Sequence, residues 1–110
     1  MIIAMELDNI ICNPISSPMA LSDVSECKVT PETVDTLAKL KKLGYTIVIY
    51  TERDVSLCME TETWLQKNKV PYDYVILNKL KYDVFIDSNV HKFNGWNEFI
   101  KMYKYRLESK

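Results

Sequence analysis

The sequence predicts one α/β domain: a mainly parallel sheet of about four strands, helices on its faces, and no cap domain. Three observations carry this. Short apolar runs alternate with segments of helical periodicity, in the order β-α-β-α-β-β-α. The runs are too continuous for strands with one wet face. The chain has 110 residues, which suits a single core spanning residues 1–110.

Ile2-Ile3-Ala4-Met5 is the first strand, ending in Glu6-Leu7-Asp8. Asn9 to Val29 lacks sustained periodicity and contains Pro14 and Pro18, so it reads as a long loop. Thr30-Pro31-Glu32-Thr33 announces a helix, with Thr30 as N-cap and Pro31 in its first turn. Val34, Leu37 and Leu40 give its apolar stripe, and Gly44 ends it. Tyr45 to Tyr50 is rich in β-branched and aromatic residues and forms the second strand. A second helix runs from about Val55 to about Asn68. Tyr74-Val75-Ile76-Leu77 and Tyr82-Asp83-Val84-Phe85-Ile86 are the third and fourth strands, joined by Asn78 to Lys81. Trp96 to Leu107 closes the domain as a helix, through Trp96, Phe99, Ile100 and Tyr103.

Composition excludes several functions. Net charge is -1, so there is no concentrated positive field for nucleic acid or a membrane surface. The apolar start is too short for a signal peptide or a span. Cys12, Cys27 and Cys58 are odd in number and lack a C-x-x-C pair, which argues against a disulfide framework or structural zinc. Three thiols fit a reducing cytoplasm.

In open α/β sheets, ligands bind beyond the carboxyl ends of the strands. Those ends deliver Glu6 and Asp8, then Thr51, then Lys79, then Asp87. Carboxylate oxygens suit a hard cation such as Mg²⁺, whereas a hydroxyl and an ammonium suit phosphate oxygens. One carboxylate can serve as nucleophile and another can move a proton, which is what phosphoryl transfer requires. Lys81 competes with Lys79 for the lysine role. Arg53 is either a phosphate contact or a solvated loop residue. His91 is expected at the surface, and Cys12 as a quiet thiol.

These segments resemble the haloacid dehalogenase (HAD) superfamily of phosphatases and phosphotransferases, in its small, capless form. A hydrophobic strand leads into Glu6-Leu7-Asp8-Asn9-Ile10, where the family has Asp-x-Asp-x-Thr. Ile47 to Thr51 matches the second motif, Lys79 the third, and Tyr82 to Ser88 the fourth in part. The resemblance implies a three-layer Rossmann-like fold. It implies Glu6, Asp8, Thr51 and Lys79 as catalytic positions, with Thr51 and Lys79 on the phosphate. Glu6, Asp8 and Asp87 would hold Mg²⁺.

The departures bear on activity. Glu6 stands at the family's nucleophilic Asp, Asn9 at its usual Gly, Ile10 at its Thr, and Ser88 at the second Asp of its last motif. One extra methylene displaces a carboxylate by roughly 1–1.5 Å, and such a misplacement costs on the order of 10²-fold in rate. The expectation is a HAD-like protein with impaired or lost phosphohydrolase activity that binds Mg²⁺ weakly and a phosphorylated small molecule. One alternative is an active Mg²⁺-dependent phosphatase acting on a phosphorylated sugar or other metabolite. Another is a non-catalytic interaction domain that uses the loop from Asn9 to Val29. Without a cap the site is open, which suits large substrates or closure by a homo-oligomer.

Overall fold

A computed structural model describes residues 1–13 and 27–108 of the chain. Three parallel strands form one sheet in the order β1-β2-β3: β1 (Ile2–Met5), β2 (Thr46–Tyr50) and β3 (Tyr74–Ile76). The helices are α1 (Thr33–Lys42), α2 (Cys58–Lys67) and α3 (Trp96–Glu108). Each early strand thus feeds a helix before the next strand, which keeps the sheet parallel.

Strand alternation divides the sheet into two unlike faces. Ile3, Met5, Ile47, Ile49 and Val75 point to the core, where Ile47 and Ile49 are fully buried. Leu37 and Leu40 of α1 and Trp64 and Leu65 of α2 join them in one cluster. The α3 helix packs across α1, where the Trp96 indole N–H donates to the Thr33 hydroxyl at 2.8 Å. On the other face Ile2, Ala4, Tyr50, Tyr74 and Ile76 are all exposed. Among the described residues no helix covers that face, so the three layers implied by the resemblance are two here.

The ends of the first helix differ from expectation at one side only. Gly44 follows it at φ +91°, a conformation glycine adopts without strain. Thr30, expected as its N-cap, instead donates its hydroxyl to the Ile10 carbonyl at 2.6 Å. That bond staples the strand exit to the helix entry, and the helix starts later, after Glu32 in a left-handed conformation. The second helix begins with a 3-10 turn, Val55–Leu57, capped by Asp54, whose carboxylate accepts from the Ser56 N–H at 2.8 Å.

The fourth strand is a correction. Residues 82–86 form no strand, and residues 80–90 are exposed throughout. The cause is the length of the connection. A parallel return takes a dozen or more residues, and residues 77–81 are five. Two of those are already bound at the carboxyl end of the sheet: the Asn78 N–H donates to the Arg53 carbonyl and the Lys79 N–H to the Thr51 carbonyl, both at 2.9 Å. Residues 14–26 of the expected long loop lie outside the described residues. Among the described residues no helix is long and apolar enough to cross a membrane.

One carboxylate locks three elements. Asp73, just before β3, accepts from the Ile47 N–H at 2.7 Å, donates its own N–H to the Ile47 carbonyl at 2.9 Å, and pairs with Lys41 of α1. The Lys41 ammonium and the Ile47 N–H hold its carboxyl below the usual carboxylate range. A depressed folded pKa stabilises the fold above the unfolded value, about 3.9, and the contribution fades as pH falls through the folded pKa. Asp73→Asn should therefore lower Tm at neutral pH. The difference from the native chain should shrink as pH falls below the unfolded value of about 3.9 and vanish once the folded carboxyl is protonated. A constant difference across a thermal-melt pH series would contradict this.

Candidate functional site

The carboxyl ends of β1 and β2 frame a shallow cleft of about 40 Å³, room for a few water-sized groups. Glu6, Leu7, Asp8, Asn9, Tyr50, Thr51 and Glu52 line it. The chain leaves β1 by a tight turn in which the N–H groups of Ile11 and Cys12 both donate to the Leu7 carbonyl. Asn9 sits in that turn at φ +75°. Asparagine tolerates this region better than other side-chain-bearing residues.

Asp8 is held by Arg53. The guanidinium donates from Nη2 to Oδ1 at 2.8 Å and from Nε to Oδ2 at 3.1 Å. Arg53 is only 5% exposed, and its Nη1 donates to the Thr61 hydroxyl on α2 at 3.2 Å. The Cys12 thiol adds a donor to Asp8 Oδ1 at 3.2 Å. Of the roughly four acceptor positions on a carboxylate, three are therefore taken. Burial works against the Arg53 cation, but the Asp8 hydrogen bonds and charge outweigh it and raise the Arg53 pKa. Burial, then the Asp8 charge, push the Cys12 thiol far up, so Cys12 is no nucleophile.

Lys79 comes to the other side of the cleft. Its ammonium lies 3.6 Å from Glu6 Oε1 and 3.2 Å from the Tyr82 hydroxyl. The rings of Tyr50 and Tyr82 stand 5.3 and 4.9 Å away, within cation-π range. Burial opposes this charge, while Tyr82 and Glu6 outweigh burial and raise the Lys79 pKa. Lys81 is exposed, so Lys79 is the lysine that meets Glu6. Thr51 is 2% exposed, and its hydroxyl oxygen accepts from the Arg53 N–H at 3.2 Å.

Four of the five expected site residues thus gather at one sheet end: Glu6, Asp8, Thr51 and Lys79. Asp87 does not join them. It sits in an exposed bend, where its carboxylate accepts from the Asn89 N–H at 3.0 Å. Among the described residues, no three His, Cys, Asp or Glu side chains form a group able to hold a metal. His91 is half-buried rather than exposed, with its ring edge-on to Phe99 and Tyr103 at 5.3 Å each. The residue underweighted by sequence reasoning is Arg53. Its partner lies 45 positions away, and no local pattern announces such a pair. Its place two residues after Thr51 is the one available signal.

A buried cation that loses its counter-charge is costly. Asp8→Asn and Arg53→Met should each destabilise the fold by about 2–4 kcal/mol. The double variant should cost less than the sum, because it leaves no charge stranded. Urea unfolding of the four chains gives the coupling, and a value near zero would refute this role of the pair.

No family model matches the chain, and no curated protein matches it. A crystal structure of an MCSG target from Vibrio cholerae is similar at a TM-score of 0.69 and 18% identity. The match covers 96% of this chain and 98% of that one. At that identity the likeness shows a shared fold: a parallel α/β sheet with its helices.

Proposed function

We propose that this chain is a capless HAD-type protein whose strand-end site binds a phosphorylated small molecule and has lost phosphohydrolase turnover. The observation that carries this is the Asp8–Arg53 pair. Asp8 stands where the related pattern places the carboxylate that moves a proton to and from the leaving group. A proton carrier must meet that group with a lone pair free. In this chain Arg53 and Cys12 occupy most of the Asp8 acceptors. Glu6 adds a second obstacle. It is longer than the aspartate of the pattern, and its carboxylate is engaged with Lys79.

Binding asks less than turnover. Lys79 supplies a cation at the cleft, and the Thr51 hydroxyl keeps its own proton to donate. The single chain does not fit a strong Mg²⁺ site. That ion needs several well-placed oxygens, and Asp87 is spent on its own turn. Weak Mg²⁺ binding through Glu6 is the expectation. A reducing, cytoplasmic setting is the reading of three cysteines without a C-x-x-C pair in the sequence.

The purified chain with Mg²⁺ should release no phosphate from a panel of phosphorylated sugars and metabolites. Inorganic phosphate should shift the amide resonances of Glu6 to Asp8 and Thr51 in an NMR titration, and Lys79→Ala should weaken that binding by about tenfold. Phosphate release would establish the working phosphatase instead. Absence of both release and binding would overturn the phosphate-site reading altogether.

A further inference from the structure

Among the described residues two parts of this chain join no sheet partner, and they match, although the Tyr82 and Phe85 rings of the second lie over Lys79. The first is the outer edge of β1. Ile2-Ile3-Ala4-Met5 carries no lysine, proline or other charge of the kind that protects an edge strand from pairing. The second is the extended segment after β3, where Val84 is 75% and Ile86 is 92% exposed. Its Val84-Phe85-Ile86 run has the composition of a strand buried on both faces.

The segment cannot pair with β1 of its own chain in parallel. From the end of β2, where Lys79 is bound, it would cross two strand spacings, about 10 Å, and also run back about 13 Å to the amino end of the sheet. The Lys79 N–H is bound at the carboxyl end, on the Thr51 carbonyl, which leaves Leu80 and Lys81 to make the journey. Two residues reach roughly 10 Å between their neighbours at full extension. No such limit applies to a second copy.

We propose that two copies of this chain exchange the segment Tyr82–Ile86, each adding it as a parallel fourth strand along β1 of the other. The inference rests on the fold and not on the proposed phosphate site. The faces of the sheet determine the register. Paired residues of parallel neighbours share a face, as Ile3 does with Ile47 and Met5 with Ile49. Setting Val84 beside Ile3 and Ile86 beside Met5 moves the two most exposed aliphatic side chains of the segment onto the core face. That same register sets the partner subunit's Asp87 beside Glu6. The carboxylate missing from the cleft of one chain is thereby supplied by the other, and the dimer has two complete strand-end sites.

Light scattering after size exclusion should give twice the 12.9 kDa mass of one chain. Val84→Lys combined with Ile86→Lys should raise the dimer dissociation constant by about 100-fold while circular dichroism stays native. Both side chains are exposed within a single chain, so a monomer would tolerate the change. Insertion of about a dozen Gly/Ser residues between Leu80 and Lys81 leaves every side chain intact and frees the segment to close on its own β1. It should also yield monomers. In a background of Cys27→Ser and Cys58→Ser, mixing a Glu6→Cys chain with an Asp87→Cys chain should form a disulfide between copies. A monomeric native chain, a dimer indifferent to both changes, or no cross-link in a dimer would each overturn the exchange.

Discussion

The guanidinium of Arg53 joins the parts of the molecule that meet at the carboxyl end of the sheet. It reaches Asp8 beyond β1 with two hydrogen bonds and Thr61 on α2 with a third, while its own backbone N–H rests on Thr51. A buried cation survives only if its donors are met, so these contacts depend on one another. With Arg53 in place, the turn after β1, the loop after β2 and the start of α2 have one mutual arrangement. The shape of the cleft follows from it. Thr51 is buried in its lining, and Asp8 lines it too, with most of its acceptors taken by Arg53 and Cys12.

The same arrangement sets the chemistry the site can do. Lys79 and Glu6 remain at the open side of the cleft, and the ammonium there is held by carboxylate, phenol and aromatic faces together. A cation so placed attracts anions. A proton carrier is harder to find, because the carboxylate in the right position is already committed. Binding and turnover make different demands on the same residues, and this constellation answers the first.

The chain beyond β3 is governed by reach. Asn78 and Lys79 are bound to the loop after β2, so the chain has no length left for a parallel crossover. Among the described residues one edge and one face of the sheet stay uncovered, and an apolar segment with strand composition lies outside the core. Asp87 is carried away from Glu6 with that segment. Local pattern and chain topology conflict here, and such conflicts mark the places where a second molecule can complete a fold.

The elements with strong local signals were legible in the sequence by itself. β1, β2 and the helices follow from apolar periodicity and from Gly44, which depend on neighbours a few residues apart. The gathering of Glu6, Asp8, Thr51 and Lys79 was legible too, because parallel strands must deliver their ends to one side. Tertiary structure alone decided the rest. Thr30 reads as a helix cap locally, yet its hydroxyl bonds Ile10, twenty residues back. Arg53 reads as a loop residue until the fold brings Asp8 to it across 45 positions. Residues 82–86 have the composition of a strand. A strand also needs an edge within reach, and reach is set by where the preceding residues are bound, which no local pattern contains.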